Sequence, residues 1–231
     1  EGGYSVVELT GLEPGADYCY YLSAQCWSDK DLWAGPFYFK TTCPTVSDYP
    51  YVEEFGWSSY QSTDFGCWNV IDNNNDKVTW QGSPTGSLLG SAHYLSAEWN
   101  QLTDIDDWLI SPVILIPESP ILRYRYRVGI NDEQFELLIG KKSEVWQEDG
   151  SFDLTKFEVM KTYVITGMTS ETGDKNEEIR WDNGDLENGL DFNLYEGEEV
   201  YFAIRIYSTV AVEGFNSLSI KRFELTTGNP C

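Results

Sequence analysis

Three oxygen-bearing side chains, Asp72, Asn74 and Asp76, stand at alternate positions in one polar stretch. Carboxylate and amide oxygens at i, i+2 and i+4 are donors that a hard cation such as calcium takes, and the spacing resembles the first half of an EF-hand loop. A complete EF-hand loop needs Gly at its sixth place and Glu at its twelfth, where this chain has Lys77 and Ser83. The stretch is therefore not an EF-hand. The alternative is an Asn/Asp-rich turn whose side chains bond their own backbone. Asp104, Asp106 and Asp107 precede a strand expected to be buried. They are either further cation ligands or carboxylates of a solvated turn that fix loop amides. Asp182, Asp185, Glu187 and Asp191 form another acidic loop, expected to be solvated.

Aromatic side chains are the second source of chemistry. Trp57, Trp99, Trp146 and Trp181 fall in predicted loops and are the candidates for ligand contact, because an aromatic face stacks on a sugar ring. Local packing is the alternative for each. Catalysis has thin support. His93 is the only histidine, so a Ser-His-Asp or Cys-His arrangement would depend on it alone. It lies in a strand-like segment, where packing is the commoner role. Carboxylate pairs for glycoside hydrolysis are numerically available, but 38 acidic residues make that uninformative. No Gly-rich phosphate loop occurs.

The chain carries 15 basic residues against those 38, a formal net charge of -23. Such a field repels nucleic acid and anionic membranes and attracts cations. Arg123, Arg125 and Arg127 make a stripe too short for nucleic-acid binding and are expected to pair with acidic neighbours across a sheet. No apolar run approaches the ~20 residues of a membrane helix, so no membrane insertion is expected. The opening Glu1-Gly2-Gly3-Tyr4 reads as the interior of a longer protein, and other domains of the same polypeptide are expected partners.

Five cysteines occur: Cys19, Cys26, Cys43, Cys67 and Cys231. None form a C-x-x-C zinc pattern. Cys19 and Cys26 are seven apart on one predicted strand and point to opposite faces, so they do not pair there. Cys26 with Cys43 is the candidate bridge, joining the ends of adjacent strands. The roles of Cys19, Cys67 and Cys231 stay open. An oxidising compartment fits this usage.

The elements that must position these residues read as strands. Residues 4 to 42 suggest three: Tyr4 to Leu9, Asp17 to Cys26, and Phe37 to Thr42. Residues 44–48 are a polar, proline-containing linker. Beyond it, Ile121 to Val128 alternates, with Leu122, Tyr124, Tyr126 and Val128 on one face. Phe135, Leu137 and Ile139 repeat that period, as do Val200, Phe202, Ile204 and Ile206. No window holds helical spacing, although Asp153 to Met160 has room for a short turn. Strands separated by turn clusters, without βαβ alternation, indicate an all-β sandwich.

Residues 1–43 resemble the last three strands of a fibronectin type III domain, through Leu9-Thr10-Gly11-Leu12-Glu13-Pro14-Gly15, Asp17-Tyr18-Cys19-Tyr20 and Phe37 to Thr42. Residues 49–227 resemble the cleaved-adhesin domain and the related choice-of-anchor J group, MAM-like jelly rolls of Bacteroidetes surface proteins. Residues 228–231 begin a following segment. The resemblance rests on Pro50 to Phe55, Cys67 to Asp76 with Thr79-Trp80, Asp106-Asp107-Trp108-Leu109-Ile110-Ser111-Pro112, Val200 to Arg205 and Asn216 to Ile220. It places Trp68, Trp80 and Trp108 in the core. Several members of that family bind structural calcium. This chain departs from their pattern, with Gly56 after Phe55 and Lys221 after Ile220 where acidic residues are usual. That site is expected to be lost, with Lys221 or Arg222 pairing with Glu53 or Glu54 instead.

The expectation is a non-catalytic adhesion or ligand-binding module of a secreted or cell-surface bacterial protein, taking host protein or glycan. A carbohydrate-active enzyme, or its accessory domain, is the rival, separable by opposed carboxylates in a deep cleft. A structural spacer is the third reading.

Overall fold

The computed structural model describes residues 6–25, 31–55, 65–77, 79–83, 87–89, 105–128, 133–165, 173–180, 192–208 and 218–228. The chain divides into two compact units, Glu1–Pro44 and Thr45–Cys231.

The first unit holds an antiparallel pair, β1 (Asp17–Gln25) and β2 (Asp31–Lys40). The ladder puts Tyr18 beside Phe39 and Tyr20 beside Phe37, and these rings stack at 5.7 and 5.1 Å. Residues 6–10 carry no strand, against the expectation for Tyr4 to Leu9. Val6 is 82 % exposed, and these apolar side chains have no sheet face to cover. The later strand begins at Asp31, well before Phe37, because its ladder with β1 continues across a bulge between Tyr20 and Leu22.

The second unit is an antiparallel β-sandwich. Its strands begin with β3 (Tyr51–Glu54), β4 (Asn69–Asp72), β5 (Gln81–Ser83) and β6 (Ser87–Leu89). They continue with β7 (Ile105–Ile110), β8 (Ile114–Leu115), β9 (Pro120–Val128) and β10 (Glu133–Lys141). A single-turn helix, α1 (Lys142–Val145), and a 3-10 turn at Leu154–Lys156 lead to β11 (Glu158–Ile165). The chain closes with β12 (Gly173–Arg180), β13 (Glu199–Ser208) and β14 (Ser219–Thr227). One sheet runs β11-β10-β13-β7-β4, with β8 also on β13. The other runs β12-β9-β14-β6-β5, with β3 also on β14. Pairing of β9 with β14 in one sheet and β10 with β13 in the other nests the chain as a jelly roll does.

Alternation along the strands builds the core. Leu122, Tyr124 and Tyr126 from β9 meet Phe135, Leu137 and Ile139 from β10 and Val200, Phe202, Ile204 and Ile206 from β13. Trp68 and Trp80 are buried among them. A second cluster lies on the outer face of the β10-β13-β7 sheet. There Trp108, Ile110, Leu138, Tyr201 and Ala203 are covered by Val145 and Phe157, from α1 and the turn after it. Trp108 is thus in a core, but in the outer one.

Candidate functional site

Two places on the sandwich stand out, one for a buried carboxylate and one for an exposed tryptophan among charged side chains. The first is the end of the sheet where β4 meets β7. Asp72 and Asp107 are directly opposite in that ladder. Side chains alternate across a strand, so Asp107 shares its face with Ile105 and Leu109, which lie in the inner core. Asp72 likewise shares its face with Val70, which packs on that core. Asp107 is only 2 % exposed, and its Oδ1 is buried without a hydrogen bond. The hydroxyl of Thr79, on the same loop as Asp76, is also buried without one. Burial first, then Asp76 and Asp72, push the Asp107 carboxyl up to about 8, against a small downward effect of nearby Thr79. Asp107 therefore stands in a strand interior and not in a solvated turn. The sequence signal for this is the alternation Ile105, Asp107, Leu109.

Asp106 takes the opposite, outer face. Its Oδ1 accepts from Arg205 Nε at 2.6 Å and from Trp108 Nε1 at 2.9 Å, and its Oδ2 accepts from Asn73 Nδ2 at 2.6 Å. Burial alone would raise this carboxyl; the three donors outweigh it and hold the group below its ordinary value. The Arg205-Asp106-Asn73 chain straps the loop after β4 onto β7. Within that loop, Asp72 Oδ1 accepts from the Asp76 amide at 3.2 Å and Oδ2 from the Lys77 amide at 2.8 Å, the local turn chemistry weighed above.

The second place is a groove of about 500 Å³ lined by Lys142, Ser143, Trp146, Gly197, Glu198 and Glu199. Trp146 follows α1 and is 39 % exposed. Its indole stacks on Tyr201 at 6.2 Å and meets Phe152 edge-on at 5.0 Å. A bridge to Phe152 and the turn at Gly150 hold its backbone. The ring is thus fixed from behind, with its remaining surface open. Around it, Lys142 Nζ donates to Glu199 Oε2 at 2.8 Å, and Thr45 Oγ1 donates to Glu199 Oε1 at 2.7 Å. Lys142 and Thr45 hold the Glu199 carboxyl below its ordinary range. Lys141 Nζ donates to Glu198 Oε1 at 3.1 Å. A fixed aromatic face with a polar rim can stack an apolar ring and bond its hydroxyls. Of the four tryptophans that the sequence offers for ligand contact, Trp146 is the one among the described residues, and it lines this groove. The sequence reading did not single out Lys142, Ser143, Glu198 or Glu199, which no local pattern joins to Trp146.

Trp57, Trp99 and Trp181 lie outside the described residues, as do Cys26, Gly56, His93, Asp104, Cys231 and the acidic loop from Asp182 to Asp191. Cys43 and Cys67 are each in a disulfide, and Cys19 is free and exposed. At the position where the resemblance expects a lost calcium site, Arg222 forms an ion pair with Glu54 and also bonds Glu224 Oε2 at 2.8 Å. Of the arginine stripe, Arg123 is engaged with acids across the sheet, reaching Glu178 at 2.5 Å and Glu224 at 3.2 Å.

No family model matches the chain, and no curated protein matches its sequence. Solved structures do match its fold. The K1 cleaved adhesin domain of Lys-gingipain from Porphyromonas gingivalis W83 aligns with a TM-score of 0.52 at 12% identity, covering 79% of this chain and 100% of that domain. The K3 cleaved adhesin domain of the same protein aligns at 0.51 and 16% identity, covering 77% and 98%. An uncharacterized protein from Mycobacterium paratuberculosis aligns at 0.50 and 12% identity, covering 76% and 99%. At these identities the likeness is one of fold: a β-sandwich of the kind seen in adhesin domains.

Proposed function

We propose that the sandwich is a non-catalytic binding module of a secreted or cell-surface protein, related to the cleaved-adhesin domains, and that it takes glycan on the Trp146 groove. The observation that carries this reading is Trp146 itself: a large aromatic ring packed on one side by Tyr201 and left 39 % exposed beside charged, hydrogen-bonding side chains. A sugar ring has a C–H face to lie on the indole and hydroxyls to meet Lys142, Ser143 and Glu198. Glu199 is ill suited to general-acid work, because a glycosidase acid needs its carboxyl raised and this one is lowered. Disulfides at Cys43 and Cys67 support an oxidising, extracellular setting. The β1–β2 hairpin fits the fibronectin type III-like reading of residues 1–43.

The test is a glycan array and an extracellular host-protein array, probed with the full chain beside Trp146→Ala. Glycan signal that falls at least about tenfold in the variant, ~1.4 kcal/mol, supports the reading. Signal confined to the protein array replaces glycan by a protein ligand. Silence on both arrays, or signal indifferent to Trp146, overturns it and leaves the spacer.

A further inference from the structure

We infer that one face of the β1–β2 ribbon, carrying Tyr38, Tyr21 and Trp33, is a platform on which an extended, uncharged polysaccharide stacks. The ladder decides which side chains share that face. Side chains alternate along a strand, so Cys19, Tyr21 and Ser23 of β1 point one way and Tyr18, Tyr20 and Leu22 the other. Tyr38 stands opposite Cys19 and Trp33 opposite Ser23, which puts both on the Tyr21 side. The two faces differ. Tyr18 stacks on Phe39 and Tyr20 on Phe37, so those rings cover one another. Tyr21, Trp33 and Tyr38 make no ring contact among the described residues and are 55%, 66% and 78% exposed. An exposed aromatic row of this kind marks a binding surface. The row is also held in shape. A bulge sets Gly35 and Pro36 against Tyr21. A Cβ at Gly35 would lie 2.9 Å from the Tyr20 carbonyl oxygen and 3.0 Å from Tyr21 Cδ1. Glycine there lets the Tyr21 ring lie close against the β2 backbone.

Shape and charge select the ligand. The three rings stand level with Cys19, Tyr21 and Ser23, so they follow one another in steps of two residues, ~6.6 Å. That step is comparable to one pyranose unit. A two-stranded ribbon of 9 residues is ~30 Å long and ~10 Å wide, so one face offers ~300 Å². A stable protein interface takes ~800 Å² from each partner. A single extended polymer needs far less. Each ring also ends in a polar group, the Tyr21 and Tyr38 hydroxyls and the Trp33 indole N–H. These can bond sugar hydroxyls while the ring faces take the sugar C–H faces. The net charge of -23 repels carboxylated or sulfated glycans, which leaves an uncharged one. The platform belongs to the first unit and the Trp146 groove to the second, and neither reading depends on the other.

The experiment runs the full chain through native gels containing mixed-linkage β-glucan, xylan or galactomannan. Calorimetry then follows oligosaccharides of increasing length cut from whichever polysaccharide retards it. The expected result is retardation in at least one gel, with binding that strengthens up to three sugar units, one for each ring. Trp33→Ala and Tyr38→Ala should each weaken it at least about fivefold. Val164→Ser, at another exposed strand position, should leave it unchanged. A thermal melt checks that each variant is folded; if Trp33→Ala is not, Tyr38→Ala at the most exposed of the three rings is read alone. Retardation that needs Trp33 and Tyr38 but not Trp146 supports the platform even where the groove reading fails. Retardation lost in Trp146→Ala and kept in both ribbon variants assigns the polysaccharide to the groove and overturns the inference. No retardation in any gel would overturn it too, as would a single sugar that binds as tightly as the trimer. Trp33-dependent capture of extracellular proteins without any retardation would replace the polysaccharide by a protein ligand, and so overturn it as well.

Discussion

Arg205→Ala should destabilise the sandwich by about 3 kcal/mol. Arg205 stands on β13 opposite Glu136 on β10 and Trp108 on β7. Its Nε donates to Asp106 at 2.6 Å, and its Nη1 lies 3.5 Å from Glu136. Its guanidinium lies 5.1 Å from the Trp108 ring and 4.7 Å from that of Tyr207. The charge-assisted bond to Asp106 contributes ~1.5–3 kcal/mol. The two cation–π contacts add ~0.5–1 kcal/mol each. Loss of the cation also leaves Glu136 nearly buried with Tyr207 beside it but without its charged partner. Two effects reduce the sum. The Arg205 side chain is 28% exposed, so solvent screens its charge, and Asp106 keeps its bonds from Trp108 and Asn73. For a unit of this size, ~3 kcal/mol lowers the thermal midpoint by roughly 6–12 °C. The assay is a thermal melt beside a urea titration, in which the midpoint should fall at unchanged m. Arg205→Lys keeps the charge but not the planar fork and should lose about half as much. A midpoint within about 2 °C of the parent would refute the strut that this arginine forms between three strands.

Three further outcomes follow from the same geometry. Gly140→Ala should cost about 1–3 kcal/mol in a urea titration, because an added Cβ runs into Val145 Cγ1 and crowds the Phe157 ring; an unchanged midpoint would mean that α1 packs less firmly on β10 than described. Glu53 has its carboxyl raised, first by burial. An acid raised in the folded state loses stability as pH climbs from its unfolded value, ~4.3, through its folded one. Glu53→Gln should therefore be the more stable protein at pH 7, with the difference vanishing below about pH 4; a constant difference across that range would contradict this. Trp146→Ala should abolish ligand capture while the melt stays cooperative, since Val145 and Phe157 still cover the outer cluster; capture that survives would move the ligand elsewhere.

Strands with one face in a core were legible in the sequence. In β9, β10 and β13 every second residue is apolar, and the inner cluster is drawn from those positions. The strand β12 was not legible. Its sequence, Gly-Asp-Lys-Asn-Glu-Glu-Ile-Arg, shows no apolar alternation because it is the edge of its sheet, and Ile179 is its one core residue among those described. The helix α1 escaped because four residues are too few to show a 3.6-residue period. At the candidate sites, Asp72 and Asp76 could be read from spacing, but Asp107 needed the ladder to bring it opposite Asp72. The groove is joined only in three dimensions, by β13 returning beside β10. Sequence neighbours of Trp146 do not include Glu198 or Glu199, so no local reading reaches them.

The Trp146 groove is the proposed ligand site. Its most direct test is a ¹⁵N NMR titration of the full chain with the strongest array ligand, following the tryptophan indole N–H signals. With ligand stacked on its indole, the Trp146 signal should shift and saturate while those of buried Trp68 and Trp80 stay fixed. Saturable binding that leaves the Trp146 signal in place would contradict it.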